Sequence, residues 1–262
     1  MAMQLGTRVL SRVQRSAARF LVRRPFVVDS SAPIVSFTFD DFPRSALLTG
    51  GAILNRFGLR GTYYASFGLM GRRAPTGEIF VAGDLDVLRQ QDHELGCHTF
   101  SHCHSWDTPT RDFEHAIVRN GEALNKFLPG TSFRTFSYPI SPPRPLSKQR
   151  AARHFLCCRG GGQTFNTGET DLNYLAAFFL EKSRDNPRAI ADLIDANRRA
   201  RGWLVLATHD VDSSPTPFGC TSALFTETVQ RAIDSGARIL PVAAAYDALC
   251  AAAGKGAAIT SN

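Results

Sequence analysis

The chain has 262 residues, 44% of them hydrophobic and 20% charged. That is ordinary for a folded globular chain and excludes disordered, collagen-like and disulfide-stapled classes. No run approaches the roughly 18 consecutive apolar residues that a spanning helix needs. The formal net charge is +7, but Arg8, Arg12, Arg15, Arg19, Arg23 and Arg24 all precede the first acid, Asp29. Without those six, 24 basic residues face 23 acidic ones, so a nearly neutral body gives no reason to expect a nucleic-acid partner.

The start of the chain reads as a basic arm over 1–30. At about 100° per residue, Leu5, Val9, Val13, Ala17 and Phe20 share one side of a helix over 5–22, and Arg8, Arg12, Arg15 and Arg19 share the neighbouring side. Such a helix suits peripheral contact with an anionic membrane or a partner. A cap on the body and an organellar transit segment have the same pattern. The arm is expected to serve association rather than chemistry. It lacks the apolar core of a secretory leader, and the six cysteines (Cys97, Cys103, Cys157, Cys158, Cys220, Cys250) form no CxxC pair. Reduced cysteines and a cytoplasmic, membrane-peripheral location are therefore expected.

From residue 31 to 250 short β-rich runs alternate with helical patterns. Strands are predicted at 34–39, 62–66, 94–99, 133–138, 155–158, 204–208 and 238–240. Helices are predicted at 46–57, 84–91, 110–127, 146–153, 187–201, 221–235 and 242–252, with Gly58, Gly202 and Gly236 as C-caps. This alternation specifies an α/β fold with a parallel sheet or barrel in a single domain, followed by a flexible tail at 251–262. The glycine run at 160–162 has neither GxGxxG spacing nor a following GK[ST], so a phosphate-cradling loop is not expected.

Parallel α/β folds collect functional side chains at the C-terminal ends of their strands. The first run ends in Asp40-Asp41. Two adjacent carboxylates there need a cation or donors nearby, unless the turn is simply solvated. The third run ends in His98-Thr99-Phe100-Ser101-His102. On a helical turn, histidines at i and i+4 point the same way, as two ligands of one metal do, although a lone HxxxH is more often a chance pairing. Together, one aspartate and two histidines make a three-ligand set with an open position for water, leaving the other aspartate as a base. The sixth run ends in His209-Asp210, which places a third imidazole where a leaving group could be protonated or where it merely packs.

Thr38-Phe39-Asp40-Asp41, His98-Thr99-Phe100-Ser101-His102, Phe136-Ser137-Tyr138-Pro139 and Leu206-Ala207-Thr208-His209-Asp210 resemble, in order and spacing, the motifs of the polysaccharide deacetylases. These are the NodB-homology proteins, or carbohydrate esterase family 4, and the resemblance spans about 33–243. It implies a distorted (β/α) barrel of about seven strands and removal of N- or O-acetyl groups from a carbohydrate such as a chitooligosaccharide. It also implies a divalent metal, with zinc first and cobalt or nickel as alternatives. Asp41, His98 and His102 would hold the metal, Asp40 would be the base and His209 the acid. The backbone N–H of Ile140 would stabilise the oxyanion.

The chain departs from the family pattern in several places. Phe42 replaces the usual glycine after the aspartate pair, which is expected to alter the cleft floor. The third motif lacks its arginine, and Arg159 is the expected replacement, with Arg134 facing the other end of the barrel. Ala207 is expected to widen the acyl pocket. Tyr138 and Trp106 are candidate substrate contacts, Trp106 as a stacking platform. The alternatives are hydrolysis of a non-sugar amide and a carbohydrate-binding protein that has lost turnover.

Overall fold

The computed structural model describes residues 18, 20–140, 142–184, 186 and 188–259. The greater part of the helix expected at 5–22 lies outside the described residues. Eight parallel strands form the central sheet: β1 (Ile34–Phe39), β2 (Thr62–Ala65), β3 (Glu94–Cys97), β4 (Thr135–Ser137), β5 (Cys157–Arg159), β6 (Phe178–Phe179), β7 (Trp203–Thr208) and β8 (Arg238–Ile239). Seven lie side by side in the order β6-β7-β1-β2-β3-β4-β5, and β8 pairs with β1. The seven-strand path is a half-barrel, consistent with the distorted barrel expected from the sequence.

The strand sequences explain the layering. In β1 the six residues IVSFTF are all buried, as a parallel strand covered on both faces requires. Val35, Phe37 and Phe39 join the cluster beneath the helices, whereas Ile34 joins a second cluster with Cys157, Trp203, Val205 and Ala207. The period of two thus assigns one face of each strand to the helices and the other to the barrel interior. The helix Thr110–Phe127 matches its predicted bounds and buries Phe113, Ile117, Asn120 and Leu124, an apolar stripe at helical spacing with one amide in it. That amide accepts from the Phe67 N–H and donates to the Ala65 carbonyl, tying the helix to the end of β2.

Several expectations are corrected. The 46–57 segment opens as a π-helix, Ala46–Gly51, before one α-helical turn, Ala52–Arg56. The strand predicted at 94–99 ends at Cys97, and the one predicted at 155–158 runs Cys157–Arg159. Gly58 and Gly236 have the positive φ of C-caps, but beside Gly202 it is Arg201 that is left-handed. The last helix runs Val242–Ile259, continuing through the start of the expected tail. No helix among the described residues is long and apolar enough to cross a membrane.

The arm's inner boundary also moves. Pro25–Val28 pairs antiparallel with Gly168–Asp171. The Arg24 guanidinium donates to the Phe155 and Leu156 carbonyls. The fully buried Lys148 ammonium pairs with Asp171 at 2.6 Å and donates to the Leu21 carbonyl at 2.7 Å. Residues 21–28 therefore belong to the folded body.

Candidate active site

The face of the sheet that points into the barrel carries Ser36 and Thr38 on β1 with Asp40 at its end, Glu94 and Gly96 on β3 with His98 at its end, Thr135 and Ser137 on β4, Cys157 and Arg159 on β5, and Ala207 on β7 with His209 after it. Alternation alone delivers these groups to one mouth. Lower down, half-buried Glu94 accepts from Thr62, Thr135 and the Ala243 N–H. Above it the Tyr64 ring crosses the interior, where a Cβ at Gly96 would sit 2.4 Å from it; only glycine fits there. The Arg159 guanidinium lies over the same ring, 5.2 Å from its centroid.

Asp41, His98 and His102 converge so that one ligand atom from each lies within 4.8 Å of the others. The His102 and His98 Nε2 atoms stand 3.2 and 3.6 Å from Asp41 Oδ1. Asp41 Oδ2 accepts from the Thr76 hydroxyl at 3.0 Å, but Oδ1 is buried with no hydrogen-bond partner. A buried carboxylate oxygen without a partner is costly, and a cation between it and the imidazoles satisfies it. His98 Nδ1 lies 2.8 Å from the Ser137 carbonyl. That bond places the ring proton on Nδ1 and the lone pair on Nε2, the second-shell arrangement of a ligating histidine. Burial pushes the His98 imidazole down to about 4, which keeps it neutral as a ligand must be. The donor set fits a divalent metal of the zinc, cobalt or nickel type.

The HxxxH spacing does not act through a helical turn. The 98–102 segment is a loop, with Thr99 and His102 at φ of +59 and +51. Asp41, Phe42 and Ile140 are also left-handed, so three strand-end loops carry backbone conformations that L-residues rarely adopt. Such strain persists only where surrounding structure over-determines it, as at functional sites. Phe42 is fully buried and stacked on Phe80, centroids 4.7 Å apart. It packs in the core rather than on the cleft floor, correcting that expectation. Ala207 likewise lies in the interior cluster below the cleft and does not line it.

Arg159 reaches Asp40 directly. Its Nη2 donates to Asp40 Oδ1 and, at 2.6 Å, to the Ser137 hydroxyl, which itself lies 3.3 Å from Asp40 Oδ1. Burial alone would raise the Asp40 carboxyl, but the Arg159 charge, with His98 and His209, outweighs it and brings the group down to about 2. Arg134 pairs with Asp247 at 2.8 Å, away from the mouth as expected. His209 Nδ1 is 3.1 Å from the Phe218 carbonyl, and its ring lies between Phe179 and Phe218.

Asp40, Asp41, His98, His102, Tyr138, Ile140 and His209 line one cleft of about 880 Å³. Tyr138 is buried and donates its hydroxyl to the Asn173 carbonyl. Ile140 is 58% exposed and its N–H makes no hydrogen bond among the described residues. Trp106 is not in the cleft lining. Its indole N–H donates to the Pro142 carbonyl at 2.7 Å and the Arg144 guanidinium donates to the Trp106 carbonyl, so Trp106 braces the 142–144 loop. Thr76 and Glu181 also reach the cleft. Nothing in the sequence singled them out, because they come from a hairpin and a short helical turn that no motif marks.

Residues 28–154 match the family model for polysaccharide deacetylase. Over that segment, just under half of the chain, the sequence is similar to the polysaccharide deacetylase family. No curated protein matches the chain in sequence. Solved structures of carbohydrate esterase family 4 share the polysaccharide deacetylase fold. One is an esterase of that family from Streptomyces lividans in complex with acetate, at 17% identity, covering 80% of this chain and 91% of that one, TM-score 0.54. Another is an acetyl xylan esterase from Clostridium thermocellum in complex with a cobalt ion, at 16% identity, covering 82% and 90%, TM-score 0.55. A third is a pseudoenzyme of the family from Bacillus anthracis, at 12% identity, covering 84% and 67%, TM-score 0.60.

Proposed function

We propose that this chain is a metal-dependent hydrolase that removes an acetyl group from nitrogen or oxygen of a carbohydrate, acting on a carbon–nitrogen bond other than a peptide in the first case. The observation that carries the reading is the partnerless Asp41 Oδ1 facing two imidazoles, beside an aspartate held by a buried guanidinium, in one cleft. Asp41, His98 and His102 would hold the metal, zinc first and cobalt or nickel as alternatives. When bound, it would polarise the acetyl carbonyl and lower the pKa of water.

The chain's own groups do the rest. Asp40 is ionised at neutral pH, with Oδ1 engaged by Arg159 and Ser137. Its Oδ2 accepts no hydrogen bond among the described residues and is the atom that would take a proton from the attacking water. Arg159 keeps that carboxylate oriented. The Ile140 N–H would donate to the developing oxyanion. His209, with Nδ1 turned to the Phe218 carbonyl, would present Nε2 to the leaving amine or alcohol and protonate it. The same reading retains residues 5–22 as a peripheral contact with an anionic membrane and the cytoplasm as the location.

Acetate release from acetylated chitooligosaccharides, acetylated xylan and small cyclic amides tests this with the metal-loaded protein. Release from the saccharides alone supports it. Release from the amides alone would favour non-sugar amide hydrolysis, and tight saccharide binding without release would favour a binding protein that has lost turnover.

A further inference from the structure

Outside the reacting groups, the cleft wall carries three cations, Arg72, Arg73 and Lys182, and one acid, Glu181. None of the three cations makes an ion pair among the described residues. Arg73 lies opposite Glu78 across its hairpin without bonding it. The acids nearer the centre do not offset these charges, because Asp40 is neutralised by Arg159 and Asp41 faces the metal position. The body as a whole is close to neutral, so this is a local concentration of positive charge rather than a reflection of composition.

The backbone that carries these exposed cations is also held in place. The hairpin Arg73–Ala74/Gly77–Glu78 is pinned at its tip by the Thr76–Asp41 hydrogen bond and at its base by Ile79 N–H to the Arg72 carbonyl. Lys182 sits on the turn Leu180–Ser183, and the next residue, Arg184, donates to the Thr216 and Gly219 carbonyls of the loop that carries Phe218. Unpaired cations on a pinned backbone around a cavity complement an anionic guest.

Resting on the deacetylase reading above, we infer that the cleft selects acetylated saccharides that carry a negative group, a carboxylate or a phosphate, close to the acetylated residue. Arg72 and Lys182 are the specificity-determining residues, and Arg73 assists.

The test is titration calorimetry on the metal-loaded protein with three probes of equal length: a neutral N-acetylated chitooligosaccharide, one containing a uronic acid, and one carrying a phosphate. Exposed charge pairs contribute modestly, so binding of an anionic probe about tenfold tighter than the neutral one at low salt is expected, shrinking as salt is added. The probe that gains more identifies carboxylate or phosphate as the recognised group. Arg72→Gln with Lys182→Gln should collapse the anionic-to-neutral ratio towards one, and Arg72→Lys with Lys182→Arg should restore it. Equal affinity for all three probes, or a ratio unaltered in the glutamine variant, would overturn the inference. Acetate release is read separately, so selective anionic binding without turnover would sink the hydrolase reading and leave this one standing.

Discussion

Replacing Arg159 by methionine keeps most of the buried volume but removes the cation from Asp40, which is 4% exposed. With Arg159 present the Asp40 carboxyl sits at about 2 rather than 3.8. A carboxyl so depressed contributes on the order of 2 kcal/mol of stability above about pH 4, lost as pH falls through 2. Without the guanidinium, burial drives the carboxyl upward, and breaking a buried pair costs roughly 3–5 kcal/mol if the remaining charge stays ionised. Part of that cost is relieved by protonation, which removes the proton acceptor. Turnover should fall about 100-fold or more, the scale of a positioned catalytic group, and its acid limb should move to higher pH. Ser137 and Arg159 are register partners on adjacent strands. Ser137→Arg with Arg159→Ser should therefore return the charge to Asp40 and recover turnover to within about tenfold. The measurements are kcat against pH, urea unfolding and elemental analysis on the same preparations. Wild-type turnover in Arg159→Met, or a loss that merely follows loss of metal, would refute the reasoning.

Elemental analysis should find close to one transition-metal equivalent per chain, lost in His98→Ala and in His102→Ala; full activity after exhaustive chelation would contradict the site. His93 is buried, accepts from the Gly61 N–H, and is pushed down to about 4 by burial. The unfolded chain binds its proton first, so stability should fall by on the order of 3 kcal/mol between pH 6.5 and 4, and His93→Gln should flatten that slope in urea titrations. Truncation to Val27 removes the Leu21 carbonyl from Lys148 and the guanidinium of Arg24 from the Phe155 and Leu156 carbonyls. It should lower the unfolding midpoint, whereas removal of 1–17 should not; equal midpoints for the two would show that residues 18–26 are dispensable.

Much of the catalytic face was legible in the sequence because alternation along a strand is a local property. Asp40, His98 and His209 each extend a period-two pattern to a strand end, and Arg159 could be chosen because it ends the neighbouring run. What was hidden depends on tertiary contact. Phe42 looked like cleft floor, yet its left-handed backbone turns the ring under Phe80 and Tyr63. Trp106 carries no sign that its indole closes on Pro142. The N-terminal strand pairs with residues more than a hundred positions away, and four residues of mixed exposure give no periodic signal of that partner.

The barrel is not closed by strand pairing between β5 and β6. The outer edge of β5 is met instead by irregular chain, with Leu172 and Leu175 exchanging backbone hydrogen bonds with Cys158, and Gly160 donating to the Leu175 carbonyl. One wall of the cleft, including Tyr174, therefore rests on a seam and not on the sheet. Residues 160–165, between β5 and the strand that pairs with Pro25–Val28, can lengthen, shorten or change sequence without altering any strand register. Diversification of substrate length among proteins sharing this centre would accumulate there, and that stretch is the natural place to graft loops when redesigning what the cleft accepts.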